Sequence, residues 1–408
     1  MRQIVFMVAL ASSVLAATRV VGQEDLSAGW FGNRDWLSEH GIDVDLSATQ
    51  FYQGVASGGR EQQWDYGGKL DYFVSVEGGK LGLSEGFFVD MHAETRFGKS
   101  VNDNDGLLAP ANIAMSFPEN DSSITSITGL KLTQALSETF ALYAGKINTL
   151  DEYTIRFAGG PGIGGFMNTT LVFNPILART VPYSAAAVGG AFLDAGEPLL
   201  SLTVFDPEER ATKGLEDLYD RGVTIVPELN LRPEWFGLPG IYQIGGSYSN
   251  SDFTSIDPSA WLTIPIAAGA FPVENESWSL YFDFYQALWA DASNPGRTWG
   301  VFGSLGLSDG NPNPIRYVVA GGIAGRSMLT GRTLDRFGCG YFYLGLSDEF
   351  IGLSLPIIPQ RDEYGIELFY NYAFTSRCWL TADIQVVRPS TIAFDTVIIP
   401  GTRLQIQF

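Results

Sequence analysis

The stretch EYGIELFYNYAF, residues 363–374, alternates between two kinds of side chain with a period of two. One face carries only large aromatic and aliphatic residues: Tyr364, Ile366, Leu368, Tyr370, Tyr372 and Phe374. The opposite face is smaller and more polar, and it includes Glu367 and Asn371. Successive side chains of a β-strand point to opposite faces of the sheet. The stretch therefore predicts a long strand with an apolar phase on one side and a polar space on the other.

The same alternation recurs in GFFVDMHAETRF, residues 86–97, and in CWLTADIQVV, residues 378–387. Strands of about 10 residues with this pattern are typical of membrane-spanning β-barrels, whereas strands of soluble sandwiches average about 5–6 residues. We expect about sixteen such strands, an even number as in bacterial barrels. They are predicted near residues 44–54, 67–77, 86–96, 124–134, 138–147, 179–191, 198–206, 222–231, 239–249, 278–289, 297–307, 314–324, 338–347, 364–374, 379–388 and 396–408.

The connections between these segments alternate in length. Long gaps at residues 97–123, 148–178 and 250–277 are separated by gaps of a few residues, although residues 325–337 form a longer exception. Short periplasmic turns and long outer loops are the outer-membrane pattern. An unpaired sheet edge is too costly in lipid, so the last strand must pair with the first, and a barrel of about 16 strands leaves a water-filled channel. The fold class is an all-β, transmembrane antiparallel β-barrel.

The N-terminal residues predict export. A basic start at Met1–Gln3 precedes an apolar run and small residues, the form of a secretory signal peptide. We assign residues 1–22 to the signal peptide, 23–43 to a periplasmic segment and 44–408 to the barrel. Within the second segment, the sequence SAGWFGNRDWLSEHGI (27–42) predicts a short helix that ends at a glycine. The protein should lie in the bacterial outer membrane, reached through the periplasm.

Composition excludes several functions. The chain has 45 acidic and 25 basic residues, a net charge of −20, which argues against nucleic acid as a partner. Its two histidines, His40 and His92, cannot build a multi-histidine metal site, and no metal or cofactor is predicted. The glycines of GGPGIG (159–164) lack the Lys-Ser/Thr ending of a phosphate-binding loop, and no GxSxG nucleophile motif is present. We expect no enzymatic activity.

Several long segments together resemble the carbohydrate-selective porin family of bacterial outer membranes (OprB-type). They are FGNRDWLSEHGIDVDLSATQFYQGVASGG (31–59), FFVDMHAETRFGKSVN (87–102), AGKINTLDEYTIRFAGGPGIGGFMNTTLVFNP (144–175), RTVPYSAAAVGGAFL (179–193), SLYFDFYQALW (279–289), GVFGSLGLSDGNPN (300–313) and LTADIQVVRP (380–389). The resemblance implies a porin of about sixteen strands, passive diffusion of sugars such as glucose, and an eyelet lined by charged and aromatic residues. Family members often carry arginine where this chain has Ser304.

A sugar channel needs hydrogen-bonding groups that replace the water lost by sugar hydroxyls, and it must bind weakly enough to release. We expect such groups on the polar faces of the strands and in two loops. The candidates are Asp90, His92, Glu94, Arg96, Glu367, Asn371, Asp383 and Gln385 on strands, Arg60 and Trp64 in the first outer loop, and Arg156, Asn168 and Asn174 in the third. The alternatives are a wet wall without a specific role, a girdle position for Trp64, and an exposed lid for the third loop. Lys69 and Asp71 share the polar face of the second strand.

Two further features concern the end of the barrel. The segment RLQIQF (403–408) alternates Arg403 and Gln405 with Leu404, Ile406 and Phe408. Its terminal aromatic resembles the signal read by the barrel assembly machinery of the outer membrane. Cys339 and Cys378 both fall near predicted strand starts, and since the periplasm permits disulfides we expect that they could be bridged.

The sequence therefore predicts an outer-membrane porin for passive, selective diffusion of carbohydrates. The alternative is a general, non-selective porin; a barrel enzyme such as a lipase and a soluble secreted β-protein are weaker alternatives. The expected partners are sugars, outer-membrane lipids and the barrel assembly machinery. A monomer or a homotrimer would both fit.

Overall fold

A closed sheet of 16 antiparallel strands forms the body of the protein. The structure is a computed structural model, and it describes residues 32–119, 123–153, 162–263 and 271–408. The barrel strands are β1 Ile42–Gly54, β2 Trp64–Glu77, β3 Phe87–Gly98, β4 Ile124–Ser137, β5 Phe140–Asn148, β6 Ser184–Asp194, β7 Glu197–Phe205, β8 Thr224–Leu231, β9 Leu238–Ser249, β10 Ser277–Asp291, β11 Asn294–Ser308, β12 Ile315–Arg326, β13 Arg336–Leu346, β14 Glu363–Thr375, β15 Cys378–Arg388 and β16 Val397–Gln407.

Helices are short and lie outside the sheet. The α-helical segments are α1 Asn33–Glu39, α2 Asn102–Asp105, α3 Thr149–Glu152, α4 Thr169–Val172, α5 Pro258–Thr263 and α6 Asp348–Ser354, and 3-10 turns span Gly78–Leu81, Ile113–Met115 and Pro175–Arg179. Among the residues that the structure describes, no helix combines the length and the apolar character needed to cross a membrane.

Each strand pairs with its neighbours along the chain, and β1 pairs with β16, in a register that runs from Ser47 opposite Gln407 to Gln53 opposite Gly401. The predicted closure of first strand on last is thus confirmed. The predicted strands correspond to the observed ones in order. The largest difference is at β6, which begins at Ser184 instead of residue 179. The 3-10 turn Pro175–Arg179, capped by the Asn174 side chain, occupies that stretch.

The two faces predicted for residues 363–374 are also confirmed. The outward side chains Ile366, Leu368 and Phe374 are 47%, 54% and 58% exposed, whereas Glu367 is fully buried inside the barrel. In outer-membrane barrels an apolar outer band faces lipid and the interior is polar. The exposed apolar surface is therefore the membrane-facing side of the sheet.

The long connection between β12 and β13 is a turn that is stabilised by hydrogen bonds between its own side chains. Arg332 holds Asp335 with a fork of two hydrogen bonds, Nε to Oδ2 at 2.8 Å and Nη2 to Oδ1 at 2.6 Å. The hydrogen bonds from Arg332 and Tyr370 keep the pKa of Asp335 below its usual value, although burial opposes them. The Arg332 guanidinium also lies 3.6 Å from the ring centre of Tyr372. A longer turn is tolerated here because its polar groups are paired.

The predicted N-terminal helix is present as α1, and it lies against the seam where the barrel closes. Arg34 donates to the main-chain oxygen of Phe408 at 2.9 Å and forms an ion pair with Asp45 of β1. Gly41, with a φ of +81°, ends this segment. Strand β1 begins at Ile42, so the predicted segment 23–43 includes the first two residues of the sheet. The predicted signal peptide, residues 1–22, lies outside the described residues.

Both cysteine thiols are free in the structure, so the disulfide that the sequence left open is not formed in it. Cys339 lies on the exposed outer face of β13, opposite Leu368 of β14. Cys378 begins β15 and lies opposite Ile406 of β16. Sequence analysis placed both residues at strand starts, but Cys339 is the fourth residue of its strand and points outward.

Candidate functional site: a channel narrowed by two inward loops

The loop between β5 and β6, here called L3 (residues 149–183), crosses to the far wall of the barrel. The backbone N–H groups of Met167 and Asn168 donate to the two carboxylate oxygens of Glu367 on β14, at 2.6 and 2.9 Å. The Phe166 ring packs between Phe302 of β11 and Phe369 of β14, with ring centres 5.3 and 4.9 Å apart. The close approach depends on Gly338, because a Cβ there would lie 2.7 Å from the Phe166 ring. L3 therefore occupies part of the lumen.

Arg403 of β16 fixes the tip of L3. Its guanidinium donates to the carbonyl oxygens of Gly162 and Gly165, both at 2.9 Å, and to Thr381 Oγ1 at 3.2 Å. Arg403 is among the largest side chains that are fully buried. Asp383 and Glu367 supply the negative charge that accompanies it. One arginine thus joins the closing strand of the barrel to the loop that narrows it.

Two asparagines shape the remainder of L3. Asn168 caps α4 by accepting from Thr170 N at 3.0 Å, and Asn174 caps the following turn and donates to Ser304 Oγ at 3.1 Å. Ser304 is the position where the resemblance implied arginine, and here it is a buried partner of the loop. Tyr153 donates its hydroxyl to Asp283 of β10. Tyr153 thus attaches the start of L3 to β10, and Asn174 attaches its later part to β11.

A second loop, L2 (residues 99–123), also folds inward and pairs with L3. Ile113 N donates to Met167 O at 3.0 Å, and Thr169 N donates to Pro110 O at 3.0 Å. Gln385 of β15 donates to Ala111 O at 2.8 Å. Each loop thereby satisfies backbone groups of the other, which a segment inside a barrel requires.

The buried carboxyl group of Asp105 organises the start of L2. It accepts the backbone N–H groups of Leu107 at 2.9 Å and of Ala111 at 3.0 Å. Burial, with a contribution from nearby Glu363, raises the pKa of Asp105 to about 8. Glu363 accepts the next N–H groups of the loop, from Leu108 and Ala109. The backbone of L2 is therefore held in place by hydrogen bonds from its N–H groups to the carboxyl groups of Asp105 and Glu363.

Five ionisable side chains meet where L3 leaves the wall; we call Lys69, Asp71, His92, Glu94 and Asp151 the ionic cluster. Lys69 forms ion pairs with Asp71, at 3.2 Å, and with Glu94. His92 approaches Asp71 at 3.2 Å through Nε2 and Asp151 of L3 at 2.7 Å through Nδ1. All but Asp151 are at most 4% exposed, and the His92 ring stacks on Phe73 at 4.0 Å.

L3 supplies further partners to this cluster. Tyr183 of L3 donates its hydroxyl to Glu94 Oε2. Asn148, the last residue of β5, donates through Nδ2 to the same oxygen at 3.3 Å and to Tyr183 Oη at 3.0 Å. The ligand atoms of Asp71, His92 and Glu94 lie within 4.8 Å of one another, a spacing that suits a metal ion. The Lys69 ammonium already contacts both carboxylates and occupies the cationic position between them.

The structure separates the predicted site residues into groups. The following are buried between the wall and the inward loops: His92, Glu94, Asn168, Asn174, Glu367, Asn371, Asp383 and Gln385. In this structure they are shielded from the lumen, and Glu367 and Gln385 among them bind the backbone of L3 and of L2, respectively. The sequence could not separate them from water-facing residues, since both sets occupy the same polar face.

The remaining candidates lie at the surface or partly exposed. Asp90 accepts from Ser75 at 2.7 Å, and Arg96 donates to Met115 O of L2 at 2.5 Å. Arg60 is exposed in the first outer loop. Trp64 stacks on Tyr52 at 5.1 Å on the outer face, a girdle position rather than the vestibule. Arg156 lies outside the described residues.

Three contributors were not among the sequence-based candidates: Arg403 as the anchor of L3, Tyr183 as the donor to Glu94, and Arg336 beneath the loop tip. The polar face of RLQIQF places Arg403 inside the barrel, but no local pattern links it to Gly162, which is 241 residues away.

Comparison with known proteins gives one family and one fold. The family model for "Carbohydrate-selective porin, OprB family" matches residues 61–408. The high-pH structure of Pseudomonas putida OprB aligns with a TM-score of 0.82 at 16% identity, over 95% of this chain and 99% of that chain. The low-pH structure of the same protein aligns with a TM-score of 0.60 at 16% identity, over the same shares. Salmonella typhi OmpF in complex with daunomycin aligns at 0.53 and 9% identity, over 91% and 99%. No curated protein matches the sequence.

Proposed function

This chain belongs to the carbohydrate-selective porin, OprB family, and on that premise we propose that sugars cross the barrel at the constriction formed where L3 seats against the far wall. The protein is an outer-membrane porin that allows substrate-selective diffusion of carbohydrates. Its family and its barrel fold imply a non-enzymatic transporter. The seating of L3 by Arg403 and Glu367 is the observation that carries the proposal, because it sets the width of the path.

The groups that meet a sugar are those at the constriction that keep contact with water. Arg96 of β3 is partly exposed, and Asp151 and Glu152 at the start of L3 are 17% and 36% exposed. Glu152 is held by Lys131 at 2.7 Å. Charged partners make short, strong hydrogen bonds to hydroxyls and so replace lost water. Fixed acids and bases around a polar lumen would orient a sugar without holding it tightly.

Reconstitution in a planar bilayer tests this proposal. Stepwise currents should appear, and glucose should reduce them with half-block at millimolar concentration, which corresponds to roughly 4 kcal/mol of binding. A neutral amino acid of similar size serves as the control and should not block at these concentrations. Equal block by both solutes would indicate the alternative, a general porin.

We also propose that barrel assembly machinery recognises the segment that ends in Phe408. Phe408 N donates to Leu46 O of β1, and its side chain is 36% exposed, so a partner can reach it. Replacing Phe408 with alanine should lower the amount of folded protein in the outer membrane several-fold, measured as the compact band on an unheated gel. Conductance of the channels that do form should be unchanged. Normal yield with altered conductance would contradict the proposed role.

We propose that the chain has three parts: a signal peptide (residues 1–22), a periplasmic segment (residues 23–43) and the barrel (residues 44–408). Cleavage can be checked by sequencing the N-terminus of the membrane protein. The assembled state proposed from the sequence is a monomer or a homotrimer, which light scattering of the detergent-solubilised protein distinguishes.

A further inference from the structure

One row of directly paired, inward-facing positions crosses five strands and carries three arginines. Arg326 of β12 lies opposite Arg336 of β13, which lies opposite Asn371 of β14. Asn371 lies opposite Thr381 of β15, and Thr381 opposite Arg403 of β16. Directly opposed residues of neighbouring antiparallel strands have their Cβ atoms about 4.5–5.5 Å apart. The row therefore concentrates positive charge on one wall of the lumen.

The charges in this row are not equally compensated. Arg403 is accompanied by Asp383 and Glu367 and donates three hydrogen bonds. The Arg336 guanidinium makes no hydrogen bond or ion pair with any residue in the described parts of the chain. The charged groups that act on it are Arg326 and Arg403, both cationic. Residues 154–161 of L3, which the structure does not describe, include Arg156 but no acidic residue.

The neighbouring polar groups of the row do not supply the missing negative charge. Asn371 Nδ2 donates to Thr381 Oγ1 at 3.0 Å, and both side chains are neutral. Asn371 Oδ1 is buried and has no hydrogen-bond partner in the structure. A guanidinium removed from bulk water without a partner is costly, and an anion that reaches it recovers that cost.

Arg336 lies directly beneath the tip of L3. A Cβ on Gly164 would stand 3.1 Å from Arg336 Nη1, so the guanidinium lies close to the loop backbone and leaves no room for a side chain at this position. Arg336 nevertheless remains partly exposed, as does Arg326. Both arginines flank the turn between β12 and β13, an end of the barrel that the alternation of connection lengths assigns to the periplasm. A solute that passes the constriction therefore meets an unpaired cation on its way to the periplasm.

We propose that Arg336, reinforced by Arg326, is an anion subsite that favours sugars carrying a carboxylate over neutral sugars of the same size. This inference rests on the proposed passage of sugars beneath L3. The planar guanidinium presents a fork of donors that matches a carboxylate with two parallel hydrogen bonds, whereas a hydroxyl offers only one weaker contact. The substrate class is a monocarboxylated sugar, such as a uronate or an aldonate.

Single-channel block by glucuronate and by glucose tests the subsite, because the two differ by a carboxylate at nearly equal size. At a salt concentration of about 0.1 M the electrostatic screening length is about 10 Å. Under these conditions glucuronate should block the unaltered channel at roughly tenfold lower concentration than glucose. The ratio of the glucose to the glucuronate concentration that gives half-block should fall to about one in Arg336→Gln. In Arg336→Lys, which keeps the charge but loses the fork of donors, the ratio should fall only part of the way. Reversal potentials in a KCl gradient should shift toward cation selectivity in Arg336→Gln.

Arg316→Gln is the matched control. Arg316 belongs to the same strand as Arg326 but is exposed at its other end, where it donates to Asp309 O. The Arg316→Gln variant should leave the ratio of the two blocking concentrations unchanged. Equal block by glucuronate and glucose in the unaltered channel would overturn the subsite, as would an unchanged ratio in Arg336→Gln. Block by glucuronate alone, with none by glucose, would count against neutral-sugar passage while supporting the subsite. Because the first comparison uses the unaltered protein, it stands even if a variant fails to fold.

Discussion

Replacing Arg403 with alanine should weaken glucose block of the channel about tenfold, which corresponds to about 1.4 kcal/mol of lost binding, and should raise the single-channel conductance. The side chain is buried and supplies both donors to the L3 tip, at Gly162 O and Gly165 O. Its removal also leaves Asp383 and Glu367 without their cation. Breaking a buried ion pair from one side costs about 3–5 kcal/mol. The tip should therefore leave the wall and widen the path.

Arg388→Ala is the control, because Arg388 is an exposed arginine at the end of the neighbouring strand β15. It should change neither conductance nor block. Since Arg403 also belongs to the strand that closes the barrel, each variant must first show the compact folded band on an unheated gel. A folded Arg403→Ala channel with unaltered conductance and block would mean that L3 does not set the width of the path.

The strands could be predicted because their physics is local. Within residues 363–374 every second side chain must face lipid, so the sequence displays the period directly, and Ile366 and Leu368 are exposed as expected. Sheet closure follows as well, because a free edge is untenable in lipid. The start of β6 was placed early for an equally local reason, since Pro175 and the Asn174 cap favour a turn over the extended chain.

The contacts that form the constriction could not be predicted, because they join residues far apart in sequence. Glu367 receives the N–H of Met167 from 200 positions away, and no pattern near either residue records the other. An inward polar side chain looks the same in sequence whether water or a loop covers it. Gln385 was expected to meet solvent, yet it is buried and donates to Ala111 O of L2.

Whether a loop or water covers a polar side chain also decides which charged groups can interact with a solute in the lumen. On the wall that carries β2 and β3, acids and bases pair with one another within the ionic cluster, and L3 contributes Asp151 to it. On the wall that carries β12 and β13, Arg336 is partly exposed, and among the described residues the charged groups that act on it are both arginines. The chain is acidic overall, with a net charge of −20, yet the lumen beneath L3 is locally cationic. Net charge therefore does not predict the selectivity of the path.

Replacing Lys69 with methionine should lower the midpoint of the heat-induced gel shift by several degrees, the largest loss of stability expected from a single change on the strand wall. Methionine keeps the length of the side chain but removes the cation shared by Asp71 and Glu94, which stay buried. Leaving buried carboxylates uncompensated costs about 3–5 kcal/mol. The double variant Lys69→Met with Glu94→Gln should recover much of the loss, because glutamine needs no cation and can still accept from Tyr183. Lys80→Met, at an exposed ion pair with Glu77, is the control and should change little. If the double variant were less stable than Lys69→Met alone, charge balance would not be what holds the start of L3 to the wall.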